Sequence, residues 1–222
     1  MSTITGDFNG DGKQDFAFVD GNHPVAYIML GDGASSFTAA TNSPFSIGTG
    51  TVPTVVVTGD FNADQILDLA VITSSGVAVL LGDGTGNFTA TANPLPAGFA
   101  YTALAVGDFN SDGNLDVVSC KYAAVTLLLG NGQGSLTASA TTIPAPCQSI
   151  AVSDLNGDGK LDFVTADGNV VPIELGNGAG FFNSAAGSPF PTARHMPTHA
   201  INIGRIMGAV LMIGGVFLIS KN

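Results

Sequence analysis

The chain has 222 residues, a formal net charge of −11 and 45% hydrophobic residues, so its apolar content excludes a disordered chain. Its 30 Gly and 11 Pro, with only 10% charged residues, favour strands and tight turns over helices. Six Lys and Arg without a cluster exclude a nucleic-acid partner, because nothing would displace counterions from phosphates. We therefore predict an all-β protein.

The N-terminus reads MSTITGDFNG and contains neither a basic segment nor an apolar leader. Only Ser2 to Thr5 stand where later parts of the chain carry a longer apolar run before an acidic loop. We therefore expect that an export signal has been removed or that the sequence is a piece of a longer protein.

Four acidic nine-residue loops recur along the chain. They read DFNGDGKQD from Asp7, DFNADQILD from Asp60, DFNSDGNLD from Asp108 and DLNGDGKLD from Asp154, and they begin 53, 48 and 46 residues apart. They hold 12 of the 17 acidic residues, and three carboxylates so close together repel one another unless a cation is present. The loops predict three to four Ca²⁺ per chain, and four ions would bring +8 against −11.

The spacing within each loop suits calcium, which takes six to eight oxygen ligands. We expect positions 1, 3, 5 and 9 to supply side-chain oxygens, position 9 through both carboxylate oxygens, and position 7 to supply a backbone carbonyl. The predicted ligands are Asp7, Asn9, Asp11, Lys13 and Asp15 in loop 1; Asp60, Asn62, Asp64, Ile66 and Asp68 in loop 2; Asp108, Asn110, Asp112, Asn114 and Asp116 in loop 3; and Asp154, Asn156, Asp158, Lys160 and Asp162 in loop 4.

Loop 2 departs from the others at position 6, where Gln65 replaces the Gly that permits a sharp turn, as Gly12 does in loop 1. A residue other than Gly at positive φ costs on the order of 1 kcal/mol. We expect the second site to be the weakest, either occupied at lower affinity or empty and merely hydrogen-bonded.

Other interpretations of the acidic loops are weaker. An EF-hand needs a Glu at position 12, where this chain has Phe18, Val71, Ser119 and Thr165. Turns held by Asp and Asn side chains without a metal remain an alternative. Acid and base catalysis is disfavoured because catalytic carboxylates do not recur identically in every unit. No nucleophile motif accompanies His23, His195 or His199, so we expect surface histidines and no enzyme activity.

Apolar runs flank each loop and predict strands. One run precedes the loop and one follows it, as in VVVTG and DLAVI around loop 2. A third run ends in a Gly turn, as in VAVLLGDG from Val77, and a fourth is rich in Thr and Ala. Four strands in about 50 residues are typical of a propeller blade. We predict a β-propeller-type array of four-stranded blades, four complete repeats and a partial fifth.

The order of strand, DxNxDGxxD loop, strand and VxVLLGDGxGxF turn resembles the FG-GAP/VCBS repeats of integrin alpha-like propellers, from Thr3 to Phe182. The resemblance implies that the loop joins the first two strands of each blade and that seven blades are usual. We place four repeats at about 1–50, 51–98, 99–145 and 146–190.

Cys120 and Cys147 are the only cysteines and lack a CxxC spacing. They form either a disulfide bond between the third repeat and the start of the fourth or two small buried side chains.

Residues 191–222 end in an apolar run of 14 residues from Ile206 to Ile219, about 21 Å as a helix and short of a bilayer core of about 30 Å. The segment SPFPTARHMPTHAINIG resembles SPFSIGTGTVPTVVVTG before loop 2, which favours a partial fifth repeat. A membrane or oligomer-core helix through 201–220 and a disordered end remain open.

These features favour an extracellular or cell-surface calcium-binding scaffold for adhesion or assembly, in which the metal supplies rigidity. The alternatives are a non-catalytic propeller region of a secreted polysaccharide-active enzyme, although the absence of Trp disfavours sugar stacking, and a subunit of a self-assembling extracellular fibre. The expected partners are a protein or glycan surface ligand, a second copy bound through the apolar C-terminus, or a membrane at 201–220.

Overall fold

The computed structural model describes residues 1–48, 52–91, 101–121 and 123–192, and these residues form strands and turns without a helix. The strands, in chain order, are β1 (Ser2–Gly6), β2 (Asp15–Val19), β3 (Val25–Gly31), β4 (Phe37–Ala39), β5 (Phe45–Ser46), β6 (Pro53–Gly59), β7 (Asp68–Thr73), β8 (Gly76–Gly82), β9 (Phe88–Ala90), β10 (Ala103–Gly107), β11 (Asp116–Lys121), β12 (Ala124–Gly130), β13 (Leu136–Ile143), β14 (Ser149–Ser153), β15 (Asp162–Ala166), β16 (Val170–Val171), β17 (Ile173–Gly176), β18 (Phe182–Ser184) and β19 (Phe190–Pro191).

The strands group into four antiparallel sheets, each with four strands side by side in chain order. Blade 1 contains β1 to β4, blade 2 contains β6 to β9, blade 3 contains β10 to β13, and blade 4 contains β14, β15, β17 and β18. The short strand β5 adds to β3, and β16 pairs with β19 beside blade 4. The predicted fold class, an all-β array of four-stranded propeller-type blades, is confirmed.

Each acidic loop connects the first two strands of its blade, as the resemblance implied. In blade 2, Gly59 pairs with Asp68, so the loop leaves and re-enters the sheet at neighbouring positions. Gly6 and Asp15 pair in the same way in blade 1, and Gly107 pairs with Asp116 in blade 3. The four loops therefore occupy equivalent corners of the four blades.

The hydrophobic core lies between consecutive blades. One cluster joins blades 1 and 2 and includes Ile28 and Leu69, a second joins blades 2 and 3 and includes Val79 and Leu128, and a third joins blades 3 and 4. Burying side chains on both faces explains why β7 of blade 2, which reads DLAVIT and is buried along its whole length, has consecutive rather than alternating apolar residues. Among the described residues, extensive contacts between sheets link only blades that are consecutive in the chain.

Cys120 and Cys147 form a disulfide bond, and their Cα atoms are 5.4 Å apart. Both residues are fully buried in the cluster between blades 3 and 4. The sequence left a bridge and two buried thiols as alternatives, and the structure places the bridge where the chain passes from blade 3 to blade 4.

The partial fifth repeat, the apolar segment 201–220, His195 and His199 lie outside the described residues. Within the described part of the chain, no helix is both long and apolar enough to cross a membrane.

Candidate metal centre

The Asp at position 1 organises the backbone of each loop. In loop 1, Asp7 Oδ2 accepts a hydrogen bond from Gly12 N at 2.8 Å, and Oδ1 accepts from Gly10 N and Asp11 N. The bond to the position-6 amide recurs from Gln65 to Asp60 at 2.8 Å, from Gly113 to Asp108 at 2.9 Å and from Gly159 to Asp154 at 2.9 Å. The carboxylate at position 1 thus folds the loop back on itself.

Positions 3 and 5 continue the same pattern towards the outer side of the loop. In loop 3, Asn110 Oδ1 accepts from Asp112 N at 3.1 Å, and Asp112 Oδ1 accepts from Asn114 N at 2.8 Å. The same bonds join the equivalent residues of the other three loops: Asn9, Asp11 and Lys13; Asn62, Asp64 and Ile66; Asn156, Asp158 and Lys160. The side-chain oxygens at positions 1, 3 and 5 are therefore gathered on one exposed loop.

The Asp at position 9 is buried, and both of its oxygens accept backbone hydrogen bonds. Asp68 has no exposed surface, its Oδ2 accepts from Phe61 N at 2.8 Å, and its Oδ1 accepts from Gly82 N at 2.8 Å. Asp15, Asp116 and Asp162 are held in the same way. This residue ties the acidic loop to the Gly turn after the third strand, a role that the sequence analysis missed.

The Gly turn packs closely against the backbone that precedes this buried Asp. A Cβ built on Gly82 would lie 2.5 Å from the carbonyl oxygen of Leu67, which precedes Asp68. In the other blades, a Cβ on the equivalent Gly would also lie too close to the backbone oxygen of the equivalent residue; these are Gly31, Gly130 and Gly176. Because a backbone atom cannot move aside as a side chain can, only Gly fits here. The repeated LGDG and LGNG strings were the sequence signal for this contact.

The backbone of each loop visits the left-handed region twice, at positions 4 and 6. In loop 1 both residues are Gly, with φ of 73° at Gly10 and 78° at Gly12. In loop 2, Ala63 has a φ of 60° and Gln65 a φ of 69°, so the predicted strain at Gln65 is confirmed and Ala63 adds to it. Loop 2 is the only described loop with a residue other than Gly at both positions.

Burial raises the pKa of some loop carboxylates, and hydrogen bonds to backbone amides lower the pKa of others. Burial, opposed by the two backbone amides and assisted by neighbouring loop acids, raises the pKa of Asp68 and of Asp116 to about 6. The amide of Asn114 lowers the pKa of Asp112, and the amide of Gly159 lowers that of Asp154. In loop 3, an exposed acid with a lowered pKa, Asp112, therefore lies near a buried acid with a raised pKa, Asp116.

The donor set of each loop fits a hard cation, because every side chain offers oxygen and an ionised carboxylate has about four acceptor directions. Backbone amides use some of these directions at positions 1, 3 and 5. At position 9 both carboxylate oxygens already accept a hydrogen bond from a backbone amide, so a bound cation would share these oxygens with the amides. Among the described residues, no three Asp, Glu, His or Cys side chains form a cluster ready to hold a metal ion. The loop oxygens would have to turn inward to bind one.

Two other polar residues stand apart from the loops. His23 is exposed, as expected, and its Nδ1 lies 2.6 Å from Asp20 Oδ2. Glu174 is buried, and Ser184 Oγ donates to both of its carboxylate oxygens. Its position on β17 corresponds to that of Leu80 on β8 and Leu128 on β12, so a buried acid stands where two other blades carry Leu, and no motif in the sequence marks it.

Two solved structures share the fold at low sequence identity. The first is a lectin from Agrocybe aegerita that recognises non-reducing terminal N-acetylglucosamine, with a TM-score of 0.59, 20% identity, 82% of this chain covered and 50% of that chain. The second is BBS1N in complex with ARL6DN, with a TM-score of 0.57, 15% identity, 82% of this chain covered and 54% of that chain. This chain therefore spans about half the length of each of these two structures, and the likeness shows the β-propeller fold alone.

The sequence comparisons agree with this fold. No curated protein matches the chain. A family model described as FG-GAP-like repeat matches residues 7–71, 60–119 and 108–165, and each match begins at the first Asp of an acidic loop. These matches cover more than half of the chain, and the chain belongs to the FG-GAP-like repeat family.

Proposed function

We propose that this chain is a calcium-stabilised repeat scaffold that works outside the cell, in adhesion or assembly. The observation that carries the proposal is the fourfold recurrence of one loop geometry, with oxygen donors at positions 1, 3, 5 and 9 held by the same hydrogen bonds each time. The proposed ion is Ca²⁺, three to four per chain, because all donors are oxygens and the loops are short and acidic.

The disulfide bond between Cys120 and Cys147 supports an extracellular location. Disulfides persist in oxidising compartments and are rare in the reducing cytosol. Extracellular calcium is also abundant enough to keep sites of modest affinity filled. A secreted or cell-surface protein accounts for both features.

A binding role accounts for the carboxylates better than catalysis does. The exposed acids recur at equivalent corners of all four blades, and none forms a unique acid and base pair. The proposed ligand is a protein or a glycan surface, in line with the lectin and the protein complex among the structural neighbours. The alternative of a propeller region attached to a polysaccharide-active enzyme shares the same non-catalytic role.

Calcium titration of a loop variant tests the proposal directly. Asp112→Asn keeps the size of the side chain but removes the charge of an exposed position-5 acid, so we expect one fewer bound Ca²⁺ per chain by isothermal titration calorimetry. Asp167→Asn is the matched control, because Asp167 also accepts backbone amides but lies outside the four loops. Equal stoichiometry in the wild type and Asp112→Asn would contradict a site at loop 3.

A further inference from the structure

Blade 1 carries an aromatic face that no other blade covers among the described residues. We call it the front face, and it consists of Phe16, Phe18, Tyr27, Met29 and Phe37. Phe37 is 48% exposed, and the other four are partly exposed. Their counterparts in blade 2 are buried against blade 1, including Leu69, Val71 and Leu80 at 0% exposure and Phe88 at 6%.

A pair of residues fits each blade onto the preceding one. A Cβ on Gly6, just before loop 1, would lie 2.6 Å from Leu67 Cδ1 in blade 2, and one on Gly59 would lie 2.7 Å from Leu115 Cδ1 in blade 3. A Cβ on Gly107 would likewise lie too close to Leu161 Cδ1 of blade 4. The Leu at position 8 therefore fits over a Gly of the preceding blade, but blade 1 has an exposed Gln14 at position 8.

A backbone hydrogen bond also joins each blade to the preceding one. Gly86 N donates to Phe8 O at 3.0 Å, Gly134 N to Phe61 O at 2.9 Å, and Gly180 N to Phe109 O at 3.1 Å. The donating residues are all Gly at positive φ. Blade 1 has Ser35 at this position, without a positive φ. Blade 1 thus lacks both contacts, the Leu at position 8 and the Gly donor, through which each later blade packs on the blade before it.

The ring geometry of the front face favours a protein surface over a sugar. Phe18 and Tyr27 are partners on neighbouring strands, and their rings stack 4.6 Å apart with 9° between their planes. The facing sides of these two rings are therefore in contact with each other and are not open to a ligand. Sugars stack on exposed ring faces, whereas rings packed on one another and a Met side chain interdigitate with apolar side chains.

The distribution of charge favours a second copy of this chain as the partner. None of the five side chains of the front face is charged, although the whole chain has a formal net charge of −11. Lys13 and Asp32 lie towards the loop end of the blade, where they border Phe37, and Asp20 and His23 lie at the opposite turn. Two copies of this acidic chain would therefore meet with least repulsion through the front face.

We propose that two copies of this chain associate through the front face of blade 1. The two sheets pack face to face about a two-fold axis, as in a β-sandwich, so the same residues contribute from each copy. A two-fold contact closes on itself and gives a dimer rather than a fibre. This assembly needs neither the acidic loops nor residues 201–220, so it holds whether or not calcium binds.

Sedimentation velocity of the full chain across a concentration series tests the proposal, in calcium and again in metal-free buffer. We expect a reversible monomer–dimer equilibrium in the wild type. Phe37→Lys and Tyr27→Lys each place a charge in the dimer contact and should weaken dimerisation at least about tenfold. Phe181→Lys is the matched control, because Phe181 is 57% exposed but lies in blade 4, and it should dimerise like the wild type.

Three results would overturn the proposal. They are a wild-type chain that stays monomeric throughout the series, a dimer that persists unchanged in Phe37→Lys and Tyr27→Lys, and a dimer that Phe181→Lys disrupts equally. The second result would place the contact elsewhere, for example in residues 201–220. Phe37→Thr and Tyr27→Thr, which keep strand propensity, serve as further variants if a Lys variant fails to fold, and they should also weaken the dimer.

Discussion

The buried Asp at position 9 holds parts of its blade together through hydrogen bonds that do not depend on a metal. In loop 2, Asp68 receives the amides of Phe61 and Gly82, so one side chain links the start of the loop, the second strand and the turn after the third strand. A buried carboxylate without such partners would be costly, and two amide donors reduce that cost. The acidic loop is therefore attached to its blade even when no cation is bound.

The raised pKa of Asp68 and of Asp116 makes the stability of the metal-free protein depend on pH. Burial raises each from 3.8 to about 6, so between these values the native state binds protons that the unfolded chain does not. This contribution is fully present below the unfolded value and is lost as the pH rises through about 6. Exposed acids with a lowered pKa, such as Asp112 and Asp154, act oppositely and lose their contribution at lower pH.

We therefore expect metal-free protein to unfold at a higher temperature at pH 5 than at pH 7.5. The difference in unfolding free energy should be on the order of a few kcal/mol. Differential scanning fluorimetry in metal-free buffers measures it. With excess Ca²⁺ the order should reverse, because calcium needs ionised ligands. A melting temperature that rises with pH in the metal-free protein would contradict the role of the two buried acids.

The strain in loop 2 predicts a gain from glycine. Gln65 has a φ of 69°, a conformation that costs a residue with a side chain roughly 1 kcal/mol. Gln65→Gly should therefore raise stability by about 0.5–1 kcal/mol and tighten calcium binding at loop 2, which we expect to be the weakest site. Thermal unfolding and calcium titration check this. Gln133→Gly is the control, because Gln133 lies in an exposed turn without a positive φ and should gain nothing.

At the scale of strands and blades, the contact between Gly59 and Leu115 accounts for how closely two blades approach. Gly59→Ala would place a Cβ 2.7 Å from Leu115 Cδ1 and 3.4 Å from Val106 Cγ1. Overpacking of this kind costs typically about 1–3 kcal/mol, and we expect a loss in that range by chemical denaturation.

Ser153→Ala is the matched control for this contact. Ser153 occupies the equivalent position in blade 4, where the described residues include no Leu of a following blade. The change should alter stability by less than about 0.5 kcal/mol. Equal effects of Gly59→Ala and Ser153→Ala on stability would show that the packing of Leu115 does not require a Gly at position 59.

The strand pattern and the loops were predictable because they repeat at short range. The apolar runs on both sides of each DxNxDG string located the first two strands, and the Gly turns located the end of the third. Contacts between distant residues were not predictable in this way. Nothing local marks Gly59 as the partner of Leu115, and the bridge between Cys120 and Cys147 required their Cα atoms to lie 5.4 Å apart.

The candidate site was predictable in its residues and only partly in its geometry. Spacing identified positions 1, 3, 5 and 9, and the structure gathers the first three on one exposed loop. The buried position of Asp68, with both oxygens accepting amides, could not be deduced because it depends on Gly82, fourteen residues away. The predicted metal ligation by these residues remains a prediction.

At the scale of the whole molecule, each described blade packs on its neighbours in sequence. Such arrays gain stability from each unit and from each contact between units. A cation in each loop would stabilise all four blades at once and would offset much of the charge of −11. The front face of blade 1 leaves this array a surface on which to associate.

The measurement that tests the calcium scaffold most directly is thermal unfolding of the full chain with and without EGTA, with bound metal counted by atomic emission. We predict a large, reversible loss of stability in EGTA, its restoration by added Ca²⁺, and three to four Ca²⁺ per chain in the restored protein. An unchanged melting temperature with no bound metal would contradict the account and leave the four loops as turns held by their own hydrogen bonds.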